Sequence, residues 1–167
     1  MKISTKGRYG VHMMIDLAIH GSRGPVLLKD IARRQHISEK YLGHLVPLLK
    51  SAGLISTARG AHGGFTLMKA AGSITLKDII AAVEGPICLV GCLRDHEACI
   101  RSGECAVQNF WGEATRRMVE VFASFTLKQL AARSIQTPQG VALDVPARTS
   151  VKFRPAKALK DMLEGEE

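Results

Sequence analysis

Residues 28–68, LKDIARRQHISEKYLGHLVPLLKSAGLISTARGAHGGFTLM, constrain the fold more than any other part of the chain. Leu28, Ile31 and Ala32 recur at helical spacing over 28–35 and predict a short helix with these residues inward. Ser38 is a good N-cap for a further helix, Glu39 to about Ala52. Its apolar stripe, Leu42, Leu45, Val46 and Leu49, follows the i, i+3, i+4, i+7 pattern. His36 falls at the sharp turn between the two, a position that wants a left-handed backbone, which His tolerates better than most residues. Pro47 lies inside the second helix and should bend it, because its ring displaces one backbone hydrogen bond. Gly53 ends that helix. Ile55–Ala58 and Phe65–Met68 read as short strands, joined by a six-residue connection that holds Gly60, Gly63 and Gly64. Helix, tight turn, capped helix and two-stranded ribbon together make a winged helix–turn–helix.

The flanking segments extend this unit. A helix is predicted from near Thr5 to about His20, with Val11, Met14, Ile15 and Ala18 inward and Gly21 following. Thr75 caps another helix with Leu76, Ile79, Ile80 and Val83 inward, stopped by Gly85-Pro86. Val107, Trp111, Ala114, Met118, Val121 and Phe125 are spaced 4-3-4-3-4. That is a heptad seam on a helix of about five turns. A short helix, Leu127 to Ala132, closes the compact part. The fold class expected is mainly α with a small β-ribbon, a winged helix–turn–helix plus a long dimerisation helix. The division expected is 1–85 for the winged unit, 86–106 for a cysteine loop, 107–133 for the dimer and closing helices, and 134–167 for a flexible tail.

Charge says what the first unit faces. The chain has 167 residues, a formal net charge of +8 and a sequence pI near 9.6. Residues 1–85 carry twelve Lys/Arg against five Asp/Glu (+7), and 86–167 carry eleven against ten (+1). A basic first half suggests nucleic acid as partner. The major groove admits one helix, whose N-terminal residues meet base edges. Opposite the apolar stripe of the capped helix stand Lys40, Tyr41, Gly43, His44 and Pro47, with Ser38 at its start. Arg59, Gly60 and His62 are at the ribbon tip, where an Arg suits a narrow minor groove. Lys6 and Arg8, at the start of the first helix, could hold phosphates, helped by that helix's dipole. Lys40 or Arg59 alone reads equally well as solvated surface. The apolar stretch Val11–Ile19 is broken by His12 and Asp16, so no signal peptide is expected. No run is long enough to span a bilayer, and a cytoplasmic protein is expected.

All four cysteines, Cys88, Cys92, Cys99 and Cys105, fall within CLVGCLRDHEACIRSGEC, residues 88–105. A disulfide framework would spread its cysteines across the fold, and disulfides are rare in the cytosol, so a metal or a redox role is the better reading. Thiolates are the usual ligands of iron–sulfur clusters. Zinc would also accept four sulfurs, but structural zinc sites show paired short knuckles, and only Cys88-x₃-Cys92 resembles one. Bare thiols remain an alternative. No catalytic triad, P-loop or paired-carboxylate arrangement stands out, so no enzymatic activity is expected.

MKISTKGRYGV, LKDIARRQHISEKYL, LLKSAGLISTARGAHGGF and ITLKDIIAAVEGP, in this order and followed by the cysteine loop and a Trp-bearing helix, resemble the Rrf-type winged-helix repressors of bacteria, the family of IscR-, NsrR- and CymR-like regulators. The resemblance covers about residues 1–134. It implies a homodimer on the long helix and binding to a partly palindromic DNA operator, with Arg59 in the minor groove. It also implies, for many members, a 2Fe–2S or 4Fe–4S cluster on Cys92, Cys99 and Cys105, with 2Fe–2S preferred. The spacing here, C-x₆-C-x₅-C, has one residue more in the first gap than the best-known cluster binders. The fourth ligand departs from the family. Gln108 stands where one branch has His, and Arg8 where another takes an Asp from the partner subunit. His12 matches a His used by a redox-sensing branch, and Cys88 and His96 are local candidates. Arg94, Arg101 and His96 could stabilise an anionic cluster. Two alternatives stand beside a cluster-binding regulator. One is a cluster-free regulator controlled by thiol chemistry or by a partner enzyme. The other is a metal or cluster carrier.

Overall fold

The computed structural model describes residues 3–60, 63–95 and 105–136. Helix α1, Thr5–His20, begins at Ser4, whose hydroxyl accepts from the Lys6 amide. Helix α2 spans Leu28–Gln35 and α3 spans Glu39–Ser51. His36 joins them with φ 52° and ψ 40°, in the left-handed conformation expected from sequence. Ser38 caps α3 by accepting from the Tyr41 amide at 3.2 Å. Strands β1, Ile55–Ala58, and β2, Gly64–Leu67, pair antiparallel with Ile55 opposite Leu67 and Ala58 opposite Gly64. Helix α4, Leu76–Glu84, opens with a capping box between Thr75 and Asp78. Helices α5, Gln108–Ser124, and α6, Leu127–Gln136, complete the described chain.

One apolar cluster unites α1, α2, α3, β1, α4 and α6: Met13, Met14, Leu17, Ile31, Leu42, Leu45, Leu49, Ile55, Ile79 and Leu127 are all sealed within it. Burying each such side chain contributes roughly 1.5–3 kcal/mol against conformational entropy. The stripes read for α2, α3 and α4 hold. In α1 the buried face is rotated: Met13, Met14 and Leu17 are fully covered, whereas Val11, Ile15 and Ala18 are half-buried. Glycine causes the rotation. A Cβ at Gly10 would lie 3.2 Å from Val83 Cγ1, and one at Gly7 would lie 2.6 Å from Glu84 Oε1, so the two glycines bring α4 against that face.

Other boundaries differ from expectation. Strand β2 spans Gly64–Leu67 instead of Phe65–Met68, because Gly64 pairs with Ala58 and Leu67 with Ile55; Phe65 also exchanges both backbone hydrogen bonds with Val26 at 2.9 Å and draws the ribbon onto the chain before α2. A Cβ on Gly64 would lie 2.6 Å from Val26 O, so the close approach needs glycine. Helix α6 continues to Gln136 instead of ending at Ala132, so Ser134–Gln136 belong to a helix and not to a tail. Helix α6 also packs on α1, placing Leu127 and Ala131 in the winged unit's core. It therefore groups with that unit. Residues 137–167, expected as a tail, lie outside the described residues.

Candidate nucleic-acid interface and cysteine loop

Helix α3 presents its polar face outward. Lys40, His44 and Pro47 are exposed, and Ser38 is exposed at the helix start with its hydroxyl already committed to the cap. Tyr41 is half-buried, its ring edge-on to Tyr9 of α1 with centroids 5.2 Å apart, so it is partly a packing residue. At the wing, Arg59 is exposed and Gly60 turns the chain at φ +105° with open space around it. The Gly63 amide donates back to Gly60 O at 2.9 Å. His62 lies outside the described residues.

The hold of α2 on α1 rests on a polar network that pattern reading missed. Asp16 is buried at 0% exposure in the middle of α1. Arg34 clamps it from two sides, Nε to Oδ2 at 2.9 Å and Nη2 to Oδ1 at 2.6 Å, and Gln35 Nε2 donates to Oδ2 at 3.1 Å. The hydrogen bonds to Asp16 hold the Arg34 proton more tightly than usual, against the opposing effect of burial. Because Gln35 spends its amide N–H on Asp16, its oxygen accepts from His12 Nδ1 at 3.1 Å. His12 is exposed, and its other ring nitrogen, Nε2, takes no part in that bond. The signal in the sequence was Asp16 itself, a carboxylate inside an apolar helical run.

At the start of α1, Lys6 is half-buried and Arg8 exposed. The positive end of the α1 dipole, expected to help them hold phosphate, already faces a carboxylate: Glu84 Oε1 accepts from Ser4 N at 3.1 Å, Ser4 Oγ at 2.5 Å and Gly7 N at 2.9 Å. A phosphate there would meet the two side chains and not the end of the helix.

After α4, Gly85 takes φ +85° and the chain enters the cysteine segment. The Leu89 amide donates to Thr115 Oγ1 of α5 at 3.3 Å. Cys92 sits in a 3₁₀ turn, Gly91–Leu93, that packs on α5, and Cys105 precedes α5, its carbonyl accepting from the Gln108 amide at 3.0 Å. Cys88, Cys92 and Cys105 are free and half-buried. Arg94 Nη2 donates to Cys88 Sγ at 3.5 Å. Among the described residues no three His, Cys, Asp or Glu side chains converge as a metal site. Cys99, His96 and Arg101 lie outside the described residues. The two thiols that flank that stretch, Cys92 and Cys105, are of the donor type that iron–sulfur clusters take.

Helix α5 buries none of its residues. Along its seam Trp111 is 36% and Val121 54% exposed, while Ala114, Met118 and Phe125 are half-buried. Phe110, outside the heptad pattern, is 63% exposed and stacks edge-on with Trp111. Val107 and Phe125 flank the helix, and the Arg133 guanidinium covers the Phe125 ring. On the polar side Arg116 pairs with Glu113 and Glu120, and Arg117 with Glu113. Hydrogen bonds from Arg116 and then Arg117 lower the Glu113 carboxyl to about 2. The far end of α5 is stitched to the winged unit. Leu76 N donates to Phe125 O at 2.9 Å and Leu127 N to Ile74 O at 2.7 Å. No helix among the described residues is long and apolar enough to cross a membrane.

A family model described as "Rrf2: Iron-dependent Transcriptional regulator" matches residues 3–133. The chain belongs to the Rrf2 family. Protein rrf2 of Nitratidesulfovibrio vulgaris is 39% identical over 149 residues, 89% of this chain and 99% of that protein. The transcriptional regulator CymR of Bacillus subtilis is 44% identical over 132 residues, 79% of this chain and 91% of CymR. Its solved structure, described as the global cysteine regulator, superposes with a TM-score of 0.69 over 80% of this chain and 98% of that one. The structure of T. potens IscR gives 0.66 at 37% identity, over 84% and 94% of the two chains. These Rrf2 relatives are transcriptional regulators, and the winged-helix fold read from the sequence is theirs. A second, shorter match, to a model described as "Bacterial DNA-binding protein", spans 114–164.

Proposed function

We propose that this Rrf2 regulator acts in the cytoplasm as a homodimer that represses transcription from a partly palindromic operator, with the cysteine loop as its sensor. The observation that carries the reading is the double attachment of the winged unit. It bears the exposed Lys40, His44 and Arg59, and it is tied to α5 both through the cysteine segment and through the Leu76–Phe125 backbone bond. Lys40 and His44 enter the major groove with Ser38 and Tyr41 at the rim. Arg59, Gly60 and His62 follow the minor groove, and Lys6 and Arg8 take phosphates. Covering the seam of Trp111, Ala114, Met118, Val121 and Phe125 by a second copy would set the two reading heads one helical turn of DNA apart. The match over 114–164 supports a further DNA contact from the segment after Gln136.

Cys92, Cys99 and Cys105 would hold an iron–sulfur cluster, preferably 2Fe–2S, supplying an oxidisable centre whose presence changes the loop's net charge and shape. His12 is one candidate for the fourth ligand, from a partner subunit: it is exposed and its Nδ1 is held by Gln35, the kind of second contact found around ligating histidines. Cys88 is the local alternative. A second reading, control by thiol chemistry without a cluster, is favoured by one observation, the cationic Arg94 donor against Cys88 Sγ, the kind of surroundings in which reactive cysteines are found. A cluster carrier is the least supported reading, because it leaves the basic unit without a role.

Selection of duplexes from a random pool, followed by titration of the recovered duplex between 50 and 200 mM salt, tests the DNA reading. We expect affinity to fall with a log–log slope on the order of one per phosphate contact, and removal of 137–167 to lower that slope. Failure to enrich any duplex would sink it. Iron and sulfide assays on anaerobically purified protein separate the two sensing readings.

A further inference from the structure

Glu84 is placed where its own helix disfavours it. It is the last residue of α4, at the end where the backbone carbonyls repel a carboxylate. Its partners are all on α1: the Ser4 amide and hydroxyl and the Gly7 amide, three donors on one oxygen. The sequence is adapted on the α1 side as well, since a Cβ at Gly7 would come within 2.6 Å of that oxygen. The next residue, Gly85, turns at φ +85°, and Pro86 leads to Cys88. Glu84 also lines the same cleft, of about 270 Å³, as Cys88, Val90 and Arg94. One carboxylate therefore touches the start of α1 and borders the first thiol of the loop.

We infer that Glu84 is a positioning residue that reports the state of the cysteine loop to the start of α1, and so sets where Lys6 and Arg8 meet DNA. This rests on the DNA-binding reading above. A change in the loop that draws the Gly85–Pro86 turn away withdraws the carboxylate from Ser4 and Gly7. The first turn of α1 then loses its N-terminal partner, the turn frays, and the two basic side chains lose their fixed position. Glu84 needs no contact with DNA for this.

The test uses the full-length protein with its thiols either reduced or alkylated with N-ethylmaleimide. Amide hydrogen exchange is followed at residues 4–8, with the Thr75–Asp78 capping box as internal reference. In the wild type, alkylation should speed exchange at residues 4–8 on the order of tenfold, leave the reference unchanged, and weaken the selected duplex by a similar factor. In Glu84→Gln, which keeps the side-chain shape but not the charge, both responses should shrink below about twofold. Gly7→Ala, which displaces the same oxygen from the other side, should mimic the alkylated wild type without alkylation, and it stands in if the Glu84 variant does not fold. Unchanged exchange at residues 4–8 in alkylated wild type overturns the inference. So does a full response in Glu84→Gln, or a rise that spreads to the reference. The exchange readout needs no DNA, so failure of the DNA reading shows separately as a wild type that selects no duplex.

Discussion

Arg34→Ala should destabilise the protein more than any surface substitution. Asp16 has no exposed side-chain area, and Arg34 retains 27%. The carboxylate accepts three hydrogen bonds, two from Arg34 at 2.9 and 2.6 Å and one from Gln35 at 3.1 Å. Truncating Arg34 removes two of the three and leaves a buried charge with one neutral donor. Breaking a buried pair in this way costs roughly 3–5 kcal/mol. The remaining Gln35 bond and the water that can reach the vacated edge put this case at the low end, about 3 kcal/mol. Against a typical total of 5–15 kcal/mol that is a large share. Urea unfolding followed by circular dichroism at pH 7, at one fixed protein concentration, measures it. The double variant Asp16→Leu/Arg34→Met removes both charges together and should lose less than Arg34→Ala alone, because no uncompensated charge is left behind. An Arg34→Ala midpoint within about 0.5 kcal/mol of wild type would refute the reasoning, since it would mean that the carboxylate is hydrated and the network is ornamental.

Three further outcomes follow from separate parts of the molecule. Gly64→Ala, at φ +155° with its Cβ 2.6 Å from Val26 O, should cost about 1–3 kcal/mol by urea unfolding, while Gly60→Ala, with open space around it, should cost about 1 kcal/mol from backbone strain alone. Glu113 has its carboxyl lowered from 4.5 to about 2, so its contribution to α5 is fully present above pH 4.5 and is lost as pH falls through about 2. Helical signal in wild type should decline across that window more than in Glu113→Gln, and less so in high salt, because the group is exposed. Trp111→Glu places a charge on the exposed seam of α5; on the proposed homodimer it should shift sedimentation from dimer to monomer with little change in the monomer's unfolding midpoint.

Most of the winged unit was legible because its signals are local. Ser38 and Thr75 announce caps, His36 tolerates the left-handed turn, and the stripe from Leu42 to Leu49 has helical period. The bounds of α1 and α2 follow from similar marks. What escaped was non-local. The buried face of α1 is set by Gly7 and Gly10, which count as blanks in an apolar pattern but decide how closely α4 approaches. Strand β2 is shifted one residue by its pairing with β1, and its second bridge, from Phe65 to Val26 nearly forty residues upstream, leaves no local mark. Asp16 reads as an interruption until Arg34 and Gln35 are folded over it. Glu84 reads as an ordinary last-turn charge until α1 is laid against it. Helix α6 extends past Ala132 with no Gly or Pro to interrupt it before Pro138, which a reading focused on the missing apolar period discounts. The thiol segment was legible as chemistry, since residue type carries that, and not as geometry.

The central claim is that the cysteine loop governs DNA binding. Its most direct measurement compares, under anaerobic conditions, the affinity of one selected duplex for protein with the loop thiols free and for the same preparation after loading with iron and sulfide or after mild oxidation, at a single salt concentration. The account predicts that at least one of these loop states differs from the free-thiol protein by on the order of tenfold, and that Cys92→Ser removes the difference while leaving the free-thiol affinity in place. Equal affinity across all three states, in protein that still binds the duplex and whose thiols have demonstrably changed, would contradict it.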